Sequence, residues 1–168
     1  MIQNNTLMPT YNLLENLEFI KFIKKNNRII GLDFGTKNIG ISICNDEKNF
    51  AIPLSTINFT SMRDLTLNLK KIIEEKNVSG IVVGNPVNMN GSIGPAAKKV
   101  KNFCLNVLEE INIPITLWDE RLSTEAVFKS ISELNISNSK KRKKIDENAA
   151  SYILQGFLDF FQKNKDKN

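Results

Sequence analysis

Four carboxylates stand at positions where chemistry explains them better than packing does. Asp33 interrupts the apolar pattern Arg28-Ile29-Ile30-Gly31-Leu32-Asp33-Phe34, and a carboxylate inside such a run needs a hydrogen-bonding partner or a cation. Asp119 and Glu120 come directly after Ile115-Thr116-Leu117-Trp118, at the C-terminal end of a buried strand, where open sheets present functional groups. Asp146 begins the segment Asp146-Glu147-Asn148-Ala149-Ala150 ahead of a helical pattern. Carboxylates brought from separate segments to one sheet edge suit Mg²⁺, a hard cation that takes oxygen ligands and keeps several waters. One or two such ions activate water and stabilise the leaving oxygen in phosphodiester hydrolysis. That chemistry needs no imidazole, and the chain has no histidine. The same absence excludes Ser-His-Asp and Cys-His catalysis, imidazole acid–base chemistry and His-ligated metal centres.

Each position also has a structural explanation. Asp is a good N-cap, and taken alone Asp146 reads first as the cap of the last helix. Asp119-Glu120-Arg121 reads equally well as a local salt bridge. The turn explanation does not apply to Asp33, which lies within the strand pattern. Gly35-Thr36-Lys37, just beyond it, either brings backbone N–H groups near a phosphate or is simply a turn that requires Gly.

The elements that must position these groups follow from periodicity. Residues 1–27 are polar and Asn-rich, with a helical candidate over Leu13–Lys25 whose Leu13, Leu17 and Ile20 share a face. They form an N-terminal extension, read as an appendage, with packing onto the domain as the alternative. Arg28–Phe34 and Ile39–Cys44 then predict a hairpin, and Phe50–Ile57 a third strand that Pro53 makes an edge or bulged one. Ser61 and Asp64 have capping-box spacing ahead of a helix that ends near Asn77. Gly80–Gly84 reads as a strand buried on both faces, and Asn85–Gly94 as a loop. Pro95 starts a second helix with a core stripe of Ala96, Val100, Phe103, Cys104, Val107, Leu108 and Ile111. Ile115–Trp118 is the next strand, Ser123 or Thr124 caps a helix to Leu134, and a basic loop leads to a helix opened by Asp146. Ala149, Tyr152, Ile153, Phe157 and Phe160 would form the packed face of that helix. The order β-β-β-α-β-α-β-α-α predicts an α/β domain with a mixed five-stranded sheet flanked by helices, over residues 28–162, followed by a basic tail, 163–168.

Composition bounds the partners. The 168 residues, 41% hydrophobic and 24% charged, fit one compact domain. Cys44 and Cys104 lack Cys-x-x-Cys spacing and read as small buried hydrophobes. No apolar run approaches the roughly 20 residues a bilayer span needs, so a soluble, cytoplasmic protein with no membrane partner is expected. Lys and Arg exceed Asp and Glu by 23 to 18, a net charge of +5 that favours polyanions. Much of the excess is concentrated in Lys140, Lys141, Arg142, Lys143 and Lys144, with Lys163, Lys165 and Lys167 in the tail. Such runs are also commonly solvated surface.

Gly31-Leu32-Asp33-Phe34-Gly35-Thr36-Lys37-Asn38-Ile39-Gly40, Val82-Val83-Gly84-Asn85-Pro86-Val87-Asn88-Met89-Asn90-Gly91, Asp119-Glu120-Arg121-Leu122-Ser123-Thr124 and Ile145-Asp146-Glu147-Asn148-Ala149-Ala150 resemble, in order, the successive signatures of the YqgF/RuvX family. The resemblance runs from about Arg28 to Phe161, and four motifs in sequence make it specific. It implies a ribonuclease H-like fold and a nuclease, described for the family as a Holliday-junction-resolvase homologue assigned to maturation of the small-subunit (16S) rRNA precursor. It further implies that Asp33, Glu120 and Asp146 are catalytic and bind Mg²⁺ or Mn²⁺, with Asp119 as an auxiliary ligand. Asn85 departs from the Leu usual at its position, and Asn90 from the usual Asp.

The reading drawn from residues and resemblance together is a metal-dependent nuclease acting on the 16S rRNA precursor. Lys37, Arg121 and the Lys140–Lys144 run would hold the nucleic-acid backbone, with strongly salt-dependent binding. Three competitors stand beside it: a DNA Holliday-junction resolvase, a non-catalytic RNA-binding ribosome-assembly factor, and an actin- or Hsp70-like ATPase. The last is disfavoured because a nucleotide clamp of that kind needs two lobes. A monomer or a homodimer is compatible with the sequence, and a junction resolvase would be expected to pair two sites by symmetry.

Overall fold

The computed structural model describes residues 13–122 and 137–167, with side chains of residues 138–147 outside the description. Its elements in chain order are β1 (Leu13–Leu14), α1 (Asn16–Phe22), β2 (Arg28–Phe34), β3 (Asn38–Cys44), β4 (Ala51–Asn58), α2 (Met62–Lys76), β5 (Val78–Asn85), α3 (Pro95–Glu110), β6 (Ile115–Asp119) and α4 (Asn138–Asn164). The strands make one mixed sheet in the order β1-β6-β5-β2-β3-β4. β2, β5, β6 and β1 run parallel, and β3 alone runs the other way, antiparallel to both β2 and β4. The α/β class and the flanking helices are as expected; among the described residues the sheet has six strands rather than five, because Leu13–Leu14 adds a short one beside β6.

Local chemistry explains these elements. β5 has parallel neighbours on both sides and is buried along Val78–Gly84, which is why its sequence is continuously apolar. β4 lies at the sheet edge, where the missing N–H of Pro53 costs no ladder bond. Its register skips Leu54, with Ile41 opposite Ser55 and Ser42 opposite Pro53, so the strand is bulged as well as marginal. α2 begins with Ser61 Oγ accepting from Asp64 N at 3.1 Å while donating to Asp64 Oδ2 at 2.8 Å, and ends at Asn77 in the left-handed conformation, φ 53°.

Two apolar layers flank the sheet. On one face Ile30, Leu32, Ile41, Ile81 and Val83 pack with Leu65 and Leu69 of α2 and with Val100, Phe103, Cys104 and Val107 of α3. On the other, Ile29, Val82 and Trp118 pack with Phe19 and Ile20 of α1 and with Ile153, Leu154, Phe157, Leu158 and Phe161 of α4. Both cysteines are free and buried. Among the described residues no helix is long and apolar enough to cross a membrane.

α4 lies unusually close to β2. A Cβ on Gly31 would stand 2.7 Å from Leu154 Cβ and 2.9 Å from the Ala150 carbonyl oxygen, so only glycine permits this approach. Ser42 Oγ then donates to the Ala150 carbonyl at 2.7 Å, which fixes the position of the helix along the sheet.

Several sequence expectations change. The basic run is not a loop: Lys140–Lys144 lie in the backbone of α4, which starts at Asn138 with Ser137 as its N-cap residue. Asp146 is therefore inside a helix and is not its N-cap. The packed face of α4 is Ala150, Ile153, Leu154, Phe157, Leu158 and Phe161; Ala149, Tyr152 and Phe160 are only partly buried. In α3 the stripe begins with Ala97, and Ala96 is exposed. The helix expected from Ser123 or Thr124 to Leu134 lies outside the described residues.

From Leu13 onward the N-terminal extension packs onto the domain. Its helix is shorter than Leu13–Lys25, and Leu17 is exposed. Thr116 Oγ1 donates to the Leu14 carbonyl at 2.8 Å and lies 2.7 Å from Asn16 Oδ1. Phe19 is fully buried and meets Phe157 edge-to-face, with centroids 5.4 Å apart. The aromatic ring occupies space left by Gly80, where a Cβ would lie 2.5 Å from Phe19 Cζ.

Candidate active site

The C-terminal ends of β2, β5 and β6 form one rim of the sheet. Side chains alternate along β2, so Asp33 shares a face with Gly31, the face covered by α4. A Cβ on Gly40, its register partner, would lie 3.7 Å from Asp33 Cβ and 3.5 Å from Ala150 Cβ. Asp33 thus stands beside α4 at Ala150. Asp146 precedes Ala150 by one helical turn, a spacing that puts the two residues on one side of the helix; its side chain is outside the described residues.

Glu120 follows β6 directly and turns back over β5. Its Oε1 lies 2.5 Å from where a Cβ of Gly84 would be, beside Ile153 Cδ1. β6 and β2 are the two neighbours of β5, so their axes are roughly 10 Å apart. The missing side chain at Gly84 leaves room between them for carboxylates from both strands.

Electrostatics report their proximity. The Glu120 carboxyl is pushed up to about 7, first by burial, next by the negative charge of Asp33, then by that of Asp119. Burial and like charge both disfavour ionisation. Such a pair is a natural site for a cation, which would reverse both effects. Among the described residues there is no group of three acidic or thiol side chains placed to hold a metal, so Asp33 and Glu120 form the described part of the site.

Asp119, one residue earlier on β6, has different surroundings. Arg121 donates to both of its carboxylate oxygens, from Nη2 to Oδ2 at 2.6 Å and from Nε to Oδ1 at 3.0 Å. This pairing holds the Asp119 carboxyl below its usual range and raises the guanidinium of Arg121. Arg121 Nη1 also reaches the Asn88 and Met89 carbonyls at 3.5 and 3.4 Å. The local salt bridge anticipated for Asp119-Glu120-Arg121 therefore forms between Asp119 and Arg121, and it ties β6 to the loop after β5.

That loop is folded by its own side chains. Asn90 Oδ1 accepts from Ser92 N at 3.0 Å and from Ser92 Oγ at 2.6 Å, while Gly91 takes the left-handed φ of 82°. Asn90 thus does the work of an Asx turn. Lys37 lies exposed in the β2–β3 turn, at the same end of the sheet as Asp33. Gly35 N donates to the Asn38 carbonyl at 3.0 Å, so that turn is closed by its own backbone. The Lys140–Lys144 backbone occupies α4 ahead of Asp146.

Two features were not anticipated. Among the described residues, Asn85 Oδ1, at the end of β5, is buried without a hydrogen-bond partner, and so is Ser151 Oγ on α4. No periodicity in the sequence announces an unmet hydrogen bond. The small residues Gly40, Gly84 and Ala150 that open the site are visible in the sequence, but their meaning depends on contacts between distant segments.

Known proteins resemble this chain in sequence and in fold. Residues 27–160 match the family described as RuvX: Holliday junction resolvase. A protein of Pelagibacter ubique named "Putative pre-16S rRNA nuclease" is 49% identical over 140 residues, 82% of this chain and 93% of that protein. One of Cereibacter sphaeroides with the same name is 40% identical over 142 residues, 84% and 89% of the two chains. The fold matches that of T. thermophilus RuvC in complex with a Holliday junction substrate with a TM-score of 0.52, at 9% identity, over 82% of this chain and 95% of that one.

Proposed function

This chain belongs to the RuvX family, and we propose that it is a metal-dependent nuclease that hydrolyses phosphodiester bonds in RNA, acting on the precursor of 16S rRNA. The observation that carries the reading is the pair Asp33 and Glu120, half-buried at one sheet rim, with the Glu120 carboxyl raised to about 7 partly by its neighbour's charge. The substrate is inferred from the names of the relatives.

The donor set fits a hard divalent cation, Mg²⁺ or Mn²⁺. Asp33, Glu120 and Asp146 would hold it, with Asp119 as an auxiliary ligand if Arg121 releases it. When bound, such an ion supplies Lewis-acid polarisation of the phosphate and a water of lowered pKa. The chain's own contributions are separate. Glu120 must give up its proton before it can act as a ligand. Gly84 keeps the space above β5 open, and the Ser42–Ala150 hydrogen bond holds α4, and hence Asp146, in step with Asp33. Lys37, Arg121 and Lys140–Lys144 would carry the phosphate backbone. Arg121 contributes least, since Asp119 already occupies most of its guanidinium.

The family's description supports a second reading, resolution of a four-way DNA junction. Phosphate contacts do not distinguish the two substrates. The test is a cleavage assay on a ribosomal RNA precursor fragment and on a four-way DNA junction, with Mg²⁺, Mn²⁺ or EDTA, for wild type, Asp33→Asn and Asp146→Asn. RNA cleavage that requires metal and is lost in both variants is expected. Cleavage of the junction alone would favour the resolvase. Metal-independent RNA binding with no products from wild type would favour a non-catalytic assembly factor, and cleavage that survives Asp33→Asn would remove the assigned site.

A further inference from the structure

The loop that leaves β5 at the carboxylate rim has no charged residue from Pro86 to Gly94, yet it is firmly built. Asn88 to Gly91 form a four-residue turn, closed by Gly91 N donating to the Asn88 carbonyl at 2.8 Å. Asn88 N donates to the Ser92 carbonyl at 3.1 Å, and Asn88 Nδ2 to Ser92 Oγ at 2.9 Å. Asn90 Oδ1 takes both Ser92 donors, and Arg121 Nη1 bears on the Asn88 and Met89 carbonyls. Met89, the second residue of the turn, is 90% exposed, and Ile93 is 68% exposed. A lone apolar side chain on a surface is ordinary. This one is held out on a cross-braced turn, clamped by the residue that follows Glu120.

We propose that Met89 is a base contact: its side chain packs against one unstacked base of the strand whose phosphate lies at Asp33 and Glu120. The proposal rests on the nuclease reading and adds a contact beside that site. The partner is a base rather than a phosphate, because the loop offers no cation. It is a base rather than another protein, because one or two side chains fall far short of the roughly 800 Å² per partner that a stable protein interface buries. The face of a base matches a single large side chain, and the polarisable thioether of Met lies well against an aromatic ring. Apolar side chains, Met among them, are used in this way to part neighbouring bases and bend a strand. A bend is useful here, since Glu120 is recessed over Gly84 and a phosphate has to be brought into the rim. The bracing of the turn supplies the stiffness that such a contact needs, because a side chain on a loose loop would yield instead of parting the bases.

The experiment uses the full chain and short single strands of RNA and of DNA in which 2-aminopurine, a fluorophore quenched while stacked, replaces one base at a time. EDTA keeps the strands intact. Wild type should raise the fluorescence at a particular position of the strand. Met89→Gln, similar in length but polar, should abolish that rise and weaken binding by about fivefold, the low end for removing a group on which a base stacks. The salt dependence of binding should stay as in wild type, because no charge changes. Met89→Leu should retain the rise. At 90% exposure neither substitution disturbs the core. A rise with DNA in place of RNA would keep the contact and change the substrate. No rise with either strand, or a rise that survives Met89→Gln, would overturn the proposal. So would a Met89→Gln chain that handles both strands as wild type does but self-associates less in sedimentation, which would assign the tip to a second copy. Cleavage with Mg²⁺ is read separately. Unstacking that depends on Met89 without cleavage by wild type would count against the nuclease reading alone, whereas cleavage without unstacking would count against this contact alone.

Discussion

Glu120 reaches its position because Gly84 has no side chain: Glu120 Oε1 lies 2.5 Å from where the Cβ of an alanine at 84 would be, and Ile153 Cδ1 lies equally close. The glycine is a steric condition of the site, and a single methyl group tests it. Gly84→Ala should displace Glu120 and push against α4. The expected cost is about 1 to 3 kcal/mol, the usual range for overpacking a well-filled interior. Urea denaturation reads that loss. Metal-dependent cleavage should fall by more than the loss of folded protein explains, and a variant that cleaves normally would show that Glu120 does not need this space.

Glu120 should make the metal-free protein less stable as pH rises. Its folded value is about 7 against an ordinary 4.5, so between those limits the native state binds the extra proton. Stability from this group is fully present below pH 4.5 and is lost as pH rises to about 7. Glu120→Gln should flatten that dependence and stabilise the protein above pH 7, by about 1 to 2 kcal/mol once solvent screening of a partly exposed group is allowed for. Thermal denaturation in EDTA across this range provides the check, and identical pH profiles for the two proteins would contradict the assignment. Asp33→Asn should lower the Glu120 value without restoring 4.5, because burial is the larger cause.

The extension should prove indispensable to the fold. Phe19 is fully buried against Phe157, and Phe→Ala changes at such sites cost about 3 to 5 kcal/mol. Phe19→Ala should therefore consume a large part of the total stability. A chain beginning at Arg28 should expose the Trp118–Phe157 layer and bind a hydrophobic dye, whereas wild-type stability in the shortened chain would mean that α1 only rests on the surface.

The basic turns of α4 should govern salt dependence. For single strands each neutralised phosphate adds about 0.7 to the slope of log affinity against log salt. Changing Lys140, Lys141, Arg142, Lys143 and Lys144 to Gln should weaken RNA binding and make that slope shallower by about 2 to 3.5. An unchanged slope would place the phosphate contacts elsewhere.

Much of this architecture was legible because it is local. The apolar run Gly80–Gly84, the Ser61 and Asp64 cap and the edge character given by Pro53 each follow from neighbours in sequence, and all appear in the structure. Asp33 and Glu120 were legible for a related reason: a carboxylate at the end of an apolar strand has few structural explanations. The start of α4 was not. Lys and Arg are good helix formers, but without an apolar stripe the run Lys140–Lys144 reads as surface loop. The face of α4 was ambiguous because Tyr152, Ile153, Leu154, Phe157, Leu158, Phe160 and Phe161 surround most of the helix. Its orientation is decided by the close approach to Gly31 and by Ser42, both far away in sequence. The seat of Phe19 on Gly80 was hidden for the same reason.

The two margins of the sheet differ from its centre in one further respect. A strand margin with free backbone groups invites another chain to add itself, and proteins discourage this with short strands, prolines and bulges. Here one margin is the two-residue β1, and the other is β4, which carries Pro53 and skips Leu54 in its register. Among the described residues, neither offers a long regular template for a stranger's backbone. A chain with such guarded margins can remain crowded and concentrated without zipping onto its own copies.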